Sequence, residues 1–129
     1  MQINFFDDPL LTPRVREKVQ VNQIGLFVYP DKRRVAVGLN ITPFLERPSL
    51  ELNIRNEIGQ VAATLSVIEA NEPNFSLTMH LRETIPAAQY RLECILYYAK
   101  PGEEKIVVDK QMAAFTMSQP GEQIIYQLG

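Results

Sequence analysis

From residue 33 onward the chain reads in twos. Val35, Val37, Leu39 and Ile41 alternate with Ala36, Gly38, Asn40 and Thr42. Leu50, Leu52 and Ile54 alternate with Glu51, Asn53 and Arg55, and Phe75, Leu77, Met79 and Leu81 with Ser76, Thr78, His80 and Arg82. Successive side chains of a strand point to opposite faces, so each segment offers one apolar face to a core and one polar face to water. Proline and glycine punctuate these runs, at Pro30-Asp31, Pro43 to Pro48, Gly59, Pro73, Pro86, Pro101-Gly102 and Pro120-Gly121. Proline lacks an N–H and resists central strand positions. The pattern predicts seven strands, over residues 15–29, 33–42, 49–57, 60–69, 74–82, 88–99 and 104–117. "NEIGQ" at 56–60 predicts a tight hairpin turn with Gly59 at positive φ. Val19 and Val21 fall out of step with Ile24, Leu26 and Val28, which predicts a bulge near Asn22-Gln23. A similar break between Asp109 and Gln111 brings Ile106 and Val108 into phase with Ala113, Phe115 and Met117.

No segment carries a convincing helical period; the best candidate, "REKVQ" at 16–20, is short. Many short strands without helices imply two sheets packed by their apolar faces. The expected fold is all-β: a seven-stranded antiparallel β-sandwich over residues 15–117, with an N-terminal arm (1–14) and a C-terminal tail (118–129). Its expected core includes Val37, Leu39, Ile41, Leu50, Leu52, Ile54, Leu77, Met79, Leu92, Leu96 and Phe115.

The stretch "IPAAQYRLECILYYA", residues 85–99, is apolar on both sides at its end. Tyr90, Leu92, Cys94, Leu96 and Tyr98 share one face. The opposite face begins with Arg91 and Glu93 and then turns apolar at Ile95 and Tyr97. That second patch needs a cover. The arm carries Ile3, Phe5, Phe6, Leu10 and Leu11, and the tail carries Ile124, Ile125, Tyr126 and Leu128. Such residues are depleted in free polar tails. Ile95, Tyr97, Phe5, Phe6, Ile124, Ile125 and Tyr126 therefore form the candidate interaction surface. The cover is either the same face of a second subunit or the arm or tail, within one chain or swapped between two. "EQIIYQLG" can also add to a sheet as an edge strand.

Residues 84–94, "TIPAAQYRLEC", resemble the E–F corner of immunoglobulin-like and fibronectin type III sandwiches. There a proline-containing turn precedes a tyrosine at the start of strand F, whose hydroxyl bonds back to the nearby backbone. Pro86 and Tyr90 match that spacing. The resemblance implies a structural corner at Tyr90 and Pro86, bonded near residues 83–86. It also implies a division of the strands, with the first, second and fifth in one sheet and the third, fourth, sixth and seventh in the other. Leu92 stands where antibody-type domains carry their second cysteine, and the chain has no tryptophan. The likeness is to the architecture, over roughly residues 15–117, and not to the antibody family.

Composition narrows the function by exclusion. A chain of 129 residues with 22% charged residues and a net charge of −2 lacks the concentrated basic surface that nucleic acid requires. The one basic run, Lys32 to Arg34, reads as a solvated turn. Cys94 is the single cysteine, which rules out an intrachain disulfide, and reads as a small core residue. His80 is the single histidine and falls on an outward face, so no serine triad or metal set is expected. No glycine-rich phosphate loop is present, and no cofactor is expected. The N-terminus has no signal-peptide pattern and no run is long enough to span a membrane, so the expected location is cytoplasmic. The expected function is a non-enzymatic protein-interaction or self-associating module, a homodimer in its simplest form. The alternatives are a small-molecule or carbohydrate-binding module, and a hydrolase with an unrecognised site.

Overall fold

Eight strands form two four-stranded antiparallel sheets in the computed structural model, which describes residues 12–82, 87–117, 121 and 123–127. The strands are β1 (Val21–Val28), β2 (Arg34–Ile41), β3 (Ser49–Asn56), β4 (Val61–Val67), β5 (Asn74–His80), β6 (Gln89–Tyr98), β7 (Ile106–Thr116) and β8 (Gln123–Gln127). The first sheet has the order β5-β2-β1-β8 and the second β4-β3-β6-β7. The expected grouping of the first seven strands is thus the observed one.

The core lies between the sheets. Leu26, Leu39, Ile41, Leu50, Leu52, Ile54, Leu92 and Leu96 are fully buried. Of the expected core residues, Leu77 is an exception: it sits on edge strand β5 and is half-buried. The hairpin at 56–60 forms as expected, with Gly59 at φ 85° and the Asn56 N–H donating to Gln60 O at 2.9 Å.

Three boundaries differ from the sequence reading. The first strand begins at Val21 rather than at residue 15, because Arg16–Lys18 form one 3₁₀ turn ahead of it. The second difference is the eighth strand. β8 pairs with β1, with Ile124 opposite Leu26 and Tyr126 opposite Ile24, and both side chains pack on the core. The adjacent pair Ile124-Ile125 hides this alternation in the sequence; Ile125 is opposite Gly25 and is 44% exposed. The third concerns the bulges. The β1 bulge lies where expected, between Val21 and Gln23. The β7 break comes slightly early: Leu96 is opposite Asp109 and Tyr97 opposite Val107, which leaves Val108 as the inserted residue.

The two irregularities meet. Oδ2 of Asp109 accepts the Val21 N–H at 2.8 Å, while Oδ1 accepts Lys110 N–H at 2.9 Å and Gln111 Nε2 at 3.1 Å. A bulge leaves a backbone donor without a ladder partner; here a carboxylate from the other sheet supplies one. Nearby, the Tyr126 hydroxyl donates to the carbonyl of Ala114. These bonds close one lateral side of the sandwich, along β1, β8 and β7.

The Tyr90 hydroxyl meets nearby backbone at Ala87. The Tyr90 hydroxyl accepts a hydrogen bond from the Ala87 N–H at 2.8 Å, while residues 83–86, including Pro86, lie outside the described residues. The Tyr90 ring is buried and stacks on Phe115 at 5.7 Å. Tyr90→Phe is expected to lower stability by about 1 kcal/mol, because Ala87 N–H loses its acceptor in a part-buried setting. Urea unfolding of the two proteins measures this; an unchanged midpoint would show that the corner bond adds nothing to the fold.

Candidate functional site

The outer face of the second sheet gathers more apolar residues than its sequence suggests. On β6 the inward set Tyr90, Leu92, Cys94, Leu96 and Tyr98 is buried, while Ile95 and Tyr97 on the other face are half-buried. Directly opposite residues of an antiparallel pair share a face, with Cβ atoms about 5 Å apart and diagonal neighbours at about 7–8 Å. The register sets Val107 opposite Tyr97 and Lys110 opposite Ile95, with Met112 opposite Glu93 one step further along the face. Val107 is 52% and Met112 is 47% exposed. Tyr97, Val107, Ile95 and Met112 therefore make an apolar strip at the β7 edge, with Met112 diagonal to Ile95 and Lys110 set between Val107 and Met112.

Charged side chains border the strip. Lys105 Nζ lies 4.3 Å from the centre of the Tyr97 ring and 3.5 Å from Glu51 Oε2. Lys110 Nζ lies 3.5 Å from Glu93 Oε2. On the β3 side, Asn53 donates to Glu93 Oε1 at 3.3 Å and accepts from Thr64 Oγ1 at 2.8 Å. Lys105 and Lys110 stand on the β7 side and Glu51 and Glu93 toward β3 and β6, where Arg55 also lies 3.9 Å from Glu93 and is opposite Arg91.

The candidate residues drawn from the sequence do not converge on this face. Ile95 and Tyr97 belong to it. Ile124, Ile125 and Tyr126 lie in β8, an edge strand of the opposite sheet, so these three residues do not cover Ile95 and Tyr97 within the chain. The physical reason is the alternation of Ile124 and Tyr126, which fits the β1 edge and buries both against the core. Phe5 and Phe6 lie outside the described residues. The sequence reading missed Val107 and Met112. Val107 carries a signal, since the bulge that puts Val108 inward turns its neighbour outward.

A second charged constellation sits at the end of the sandwich where β6 stops. Arg16 Nε donates to Glu46 Oε1 at 2.6 Å, and its other guanidinium nitrogen pairs with Glu46 Oε2. Lys100 Nζ reaches the same carboxylate at 2.9 Å. These partners, the hydrogen bond from Arg16 first, hold the Glu46 carboxyl down at about 2. Arg16 also lies 4.8 Å from the centre of the Tyr98 ring, and the Tyr98 hydroxyl donates to Glu46 O at 3.0 Å. Burial, followed by the Glu46 charge, raises the Tyr98 phenol above its usual range. A guanidinium locked on a carboxylate is well made for holding the segment before β1 in place. A proton-transfer role would need a group that titrates near neutrality, and Glu46 is shifted the other way.

The remaining chemistry-bearing residues stand apart. His80 is exposed at the end of β5, opposite Arg34. Cys94 is fully buried in the core, and burial, followed by the Asp109 charge, pushes its thiol up to about 12. Among the described residues no group of three or more histidine, cysteine, aspartate or glutamate side chains is placed to hold a metal ion. No described helix is long and apolar enough to cross a membrane.

No family model and no curated protein matches the sequence. Among solved structures the fold is similar to part of the Bifidobacterium dentium β-glucuronidase complexed with coumarin-3-O-glucuronide. That match has a TM-score of 0.51 and 14% identity, and covers 78% of this chain and 18% of the enzyme chain. A second similar structure is the Ruminococcus gnavus β-glucuronidase in complex with an N1-substituted uronic isofagomine. Its TM-score is 0.43 at 12% identity, covering 77% of this chain and 16% of the other. This chain thus spans less than a fifth of either enzyme, and the likeness to the first is one of fold: both contain a β-sandwich of this kind.

Proposed function

We propose that the chain is a non-enzymatic interaction module of immunoglobulin-like, fibronectin type III-like architecture that self-associates through the outer face of its second sheet. The strand grouping and the Tyr90 corner support the architecture. The strip of Tyr97, Val107, Ile95 and Met112 is the observation that carries the function. An apolar centre with a charged rim has the anatomy of an interface, and Tyr97 offers an apolar ring with a polar tip.

The charge layout favours a second copy as the occupant. Lys105 and Lys110 lie on the β7 side of the strip, and Glu51 and Glu93 lie on the other, beside Arg55. A two-fold axis lying in the face and parallel to the strands sets the lysines of one copy against the carboxylates of the next, which is the self-complementarity an isologous dimer requires. In this reading the chain works where its single buried thiol stays reduced, in the cytoplasm, and needs no cofactor.

Light scattering on the full chain is the test. The wild type is expected to be a dimer, and Tyr97→Arg combined with Val107→Arg a folded monomer. That pair adds like charges across a two-fold and removes two central apolar contacts, so a weakening of at least about a hundred-fold is expected. A wild type that stays monomeric at high micromolar concentration, or a double variant that still dimerises, would refute self-association through this face.

A further inference from the structure

We propose that the cleft between β4 and β5 is a docking groove for the chain's own N-terminal arm, residues 1–11. This site is separate from the outer face of the second sheet. The two lateral sides of the sandwich are built differently. One is tied by Asp109 and Tyr126, as described above. On the other, the Arg82 N–H donates to Ala62 O at 2.9 Å at one end, and toward the other end the inward residues of the edge strands, Leu65 and Val67 on β4 and Phe75 and Leu77 on β5, are only half-buried. Between the strands lies a cleft of about 290 Å³ lined by Val67, Ala70, Asn71, Glu72 and Phe75.

Pockets for drug-sized ligands run from about 300 to 1,000 Å³. This cleft is at or below that range and carries one aromatic ring, so it suits a few apolar side chains on an extended segment. β4 and β5 are also sheet edges, and an edge offers unpaired N–H and C=O groups to an added strand.

The course of the backbone supplies the segment. Arg14 forms a parallel bridge with Phe44: Arg14 N–H donates to Pro43 O at 2.8 Å, and Leu45 N–H to Arg14 O at 3.0 Å. Traced backwards from Arg14, a parallel course runs beside Pro43 and Thr42 toward Ile41. The Ile41 N–H donates to Pro73 O at 2.7 Å, and the Ala70 N–H donates to Pro48 O at 2.8 Å. Pro73 adjoins Asn71 and Glu72, which line the cleft, so the described residues 12–14 are directed toward it. An extended segment of that length reaches about 35 Å, whereas β5, with 7 residues, is about 23 Å long. The arm's Ile3, Phe5, Phe6, Leu10 and Leu11 are the kind of side chains the cleft is short of.

Hydrogen exchange read by mass spectrometry tests this on the full chain and on a Phe5→Ser, Phe6→Ser variant. Amides of residues 65–77 are expected to exchange about ten-fold faster or more in the variant, while those of β3 and β6 keep their rates. Equal rates over 65–77 would overturn the proposal. Faster exchange together with loss of a wild-type dimer would place a partner copy's arm in the cleft and overturn docking within one chain. Loss of the dimer by the Tyr97 and Val107 changes alone, with 65–77 still protected, would leave the groove assignment standing.

Discussion

Asp109→Ala is expected to destabilise the fold by about 2 kcal/mol, the loss associated with a hydrogen bond to a charged group whose donor is then left without a partner. The Asp109 carboxylate is fully engaged: it accepts Val21 N–H from the β1 bulge, and Lys110 N–H and Gln111 Nε2 from its own strand. Removing it leaves the part-buried Val21 N–H without this acceptor, next to a Val21 side chain that is itself fully buried. The two bulges then lose the one bond that registers the first sheet against the second at this point. A fall in Tm of roughly 5–10 °C follows for a domain of this size. Asp109→Asn retains an oxygen that can accept from Val21, so it is expected to lose less. Chemical denaturation of the three proteins checks the order; if the alanine variant were as stable as the wild type, the bond between the bulges would contribute nothing.

This same pair of bulges shows how far the sequence can be read. Parity shifts announced both of them, because a residue inserted into an alternating strand moves every later side chain to the other face. What parity cannot carry is that the two bulges face each other across the sandwich, since Val21 and Asp109 are 88 positions apart. The sheet grouping was legible for a similar reason, through seven alternating segments and a corner motif whose tyrosine bonds only three residues away. β8 was half legible: its residues were marked as able to add to an edge, but Ile124-Ile125 blurred the period, and only pairing with β1 resolves which of them faces inward. The candidate site was the least legible part. Ile95 and Tyr97 stood out from the local pattern, while Val107 and Met112 join them only through the β6–β7 register. The β4–β5 cleft leaves no mark in the sequence at all, because the degree to which two edges separate is a property of packing between distant segments.

Cys94 offers the largest measurable effect, and it bears on the core rather than on the surface. A free thiol with a pKa near 8.5 is about a quarter thiolate at pH 8, and the thiolate is the reactive form. Cys94 is fully buried opposite Gln111, and burial, followed by the nearby Asp109 charge, pushes it up to about 12. The reactive fraction alone is then reduced roughly a thousand-fold or more, before steric exclusion of the reagent is counted. Native protein is therefore expected to resist a thiol reagent at pH 8, and to label stoichiometrically once unfolded in denaturant. Labelling in the native state then has to proceed through opening of the sandwich, at a rate set by the population of the open form. This couples the thiol to Asp109: a loss of about 2 kcal/mol in Asp109→Ala raises that population, and with it the labelling rate, by roughly 30-fold. The pH dependence has a definite sign. A thiol whose folded value is raised favours the folded state fully below its unfolded value, about 8.5, and that contribution is lost as pH climbs from there through about 12. Stability should thus decline on the alkaline side, and Cys94→Ala should decline less steeply over the same window. Rapid stoichiometric labelling of the native protein at pH 8 would place Cys94 on the outer face of β6, and would reverse the inward and outward assignment on which the strip of Ile95 and Tyr97 depends.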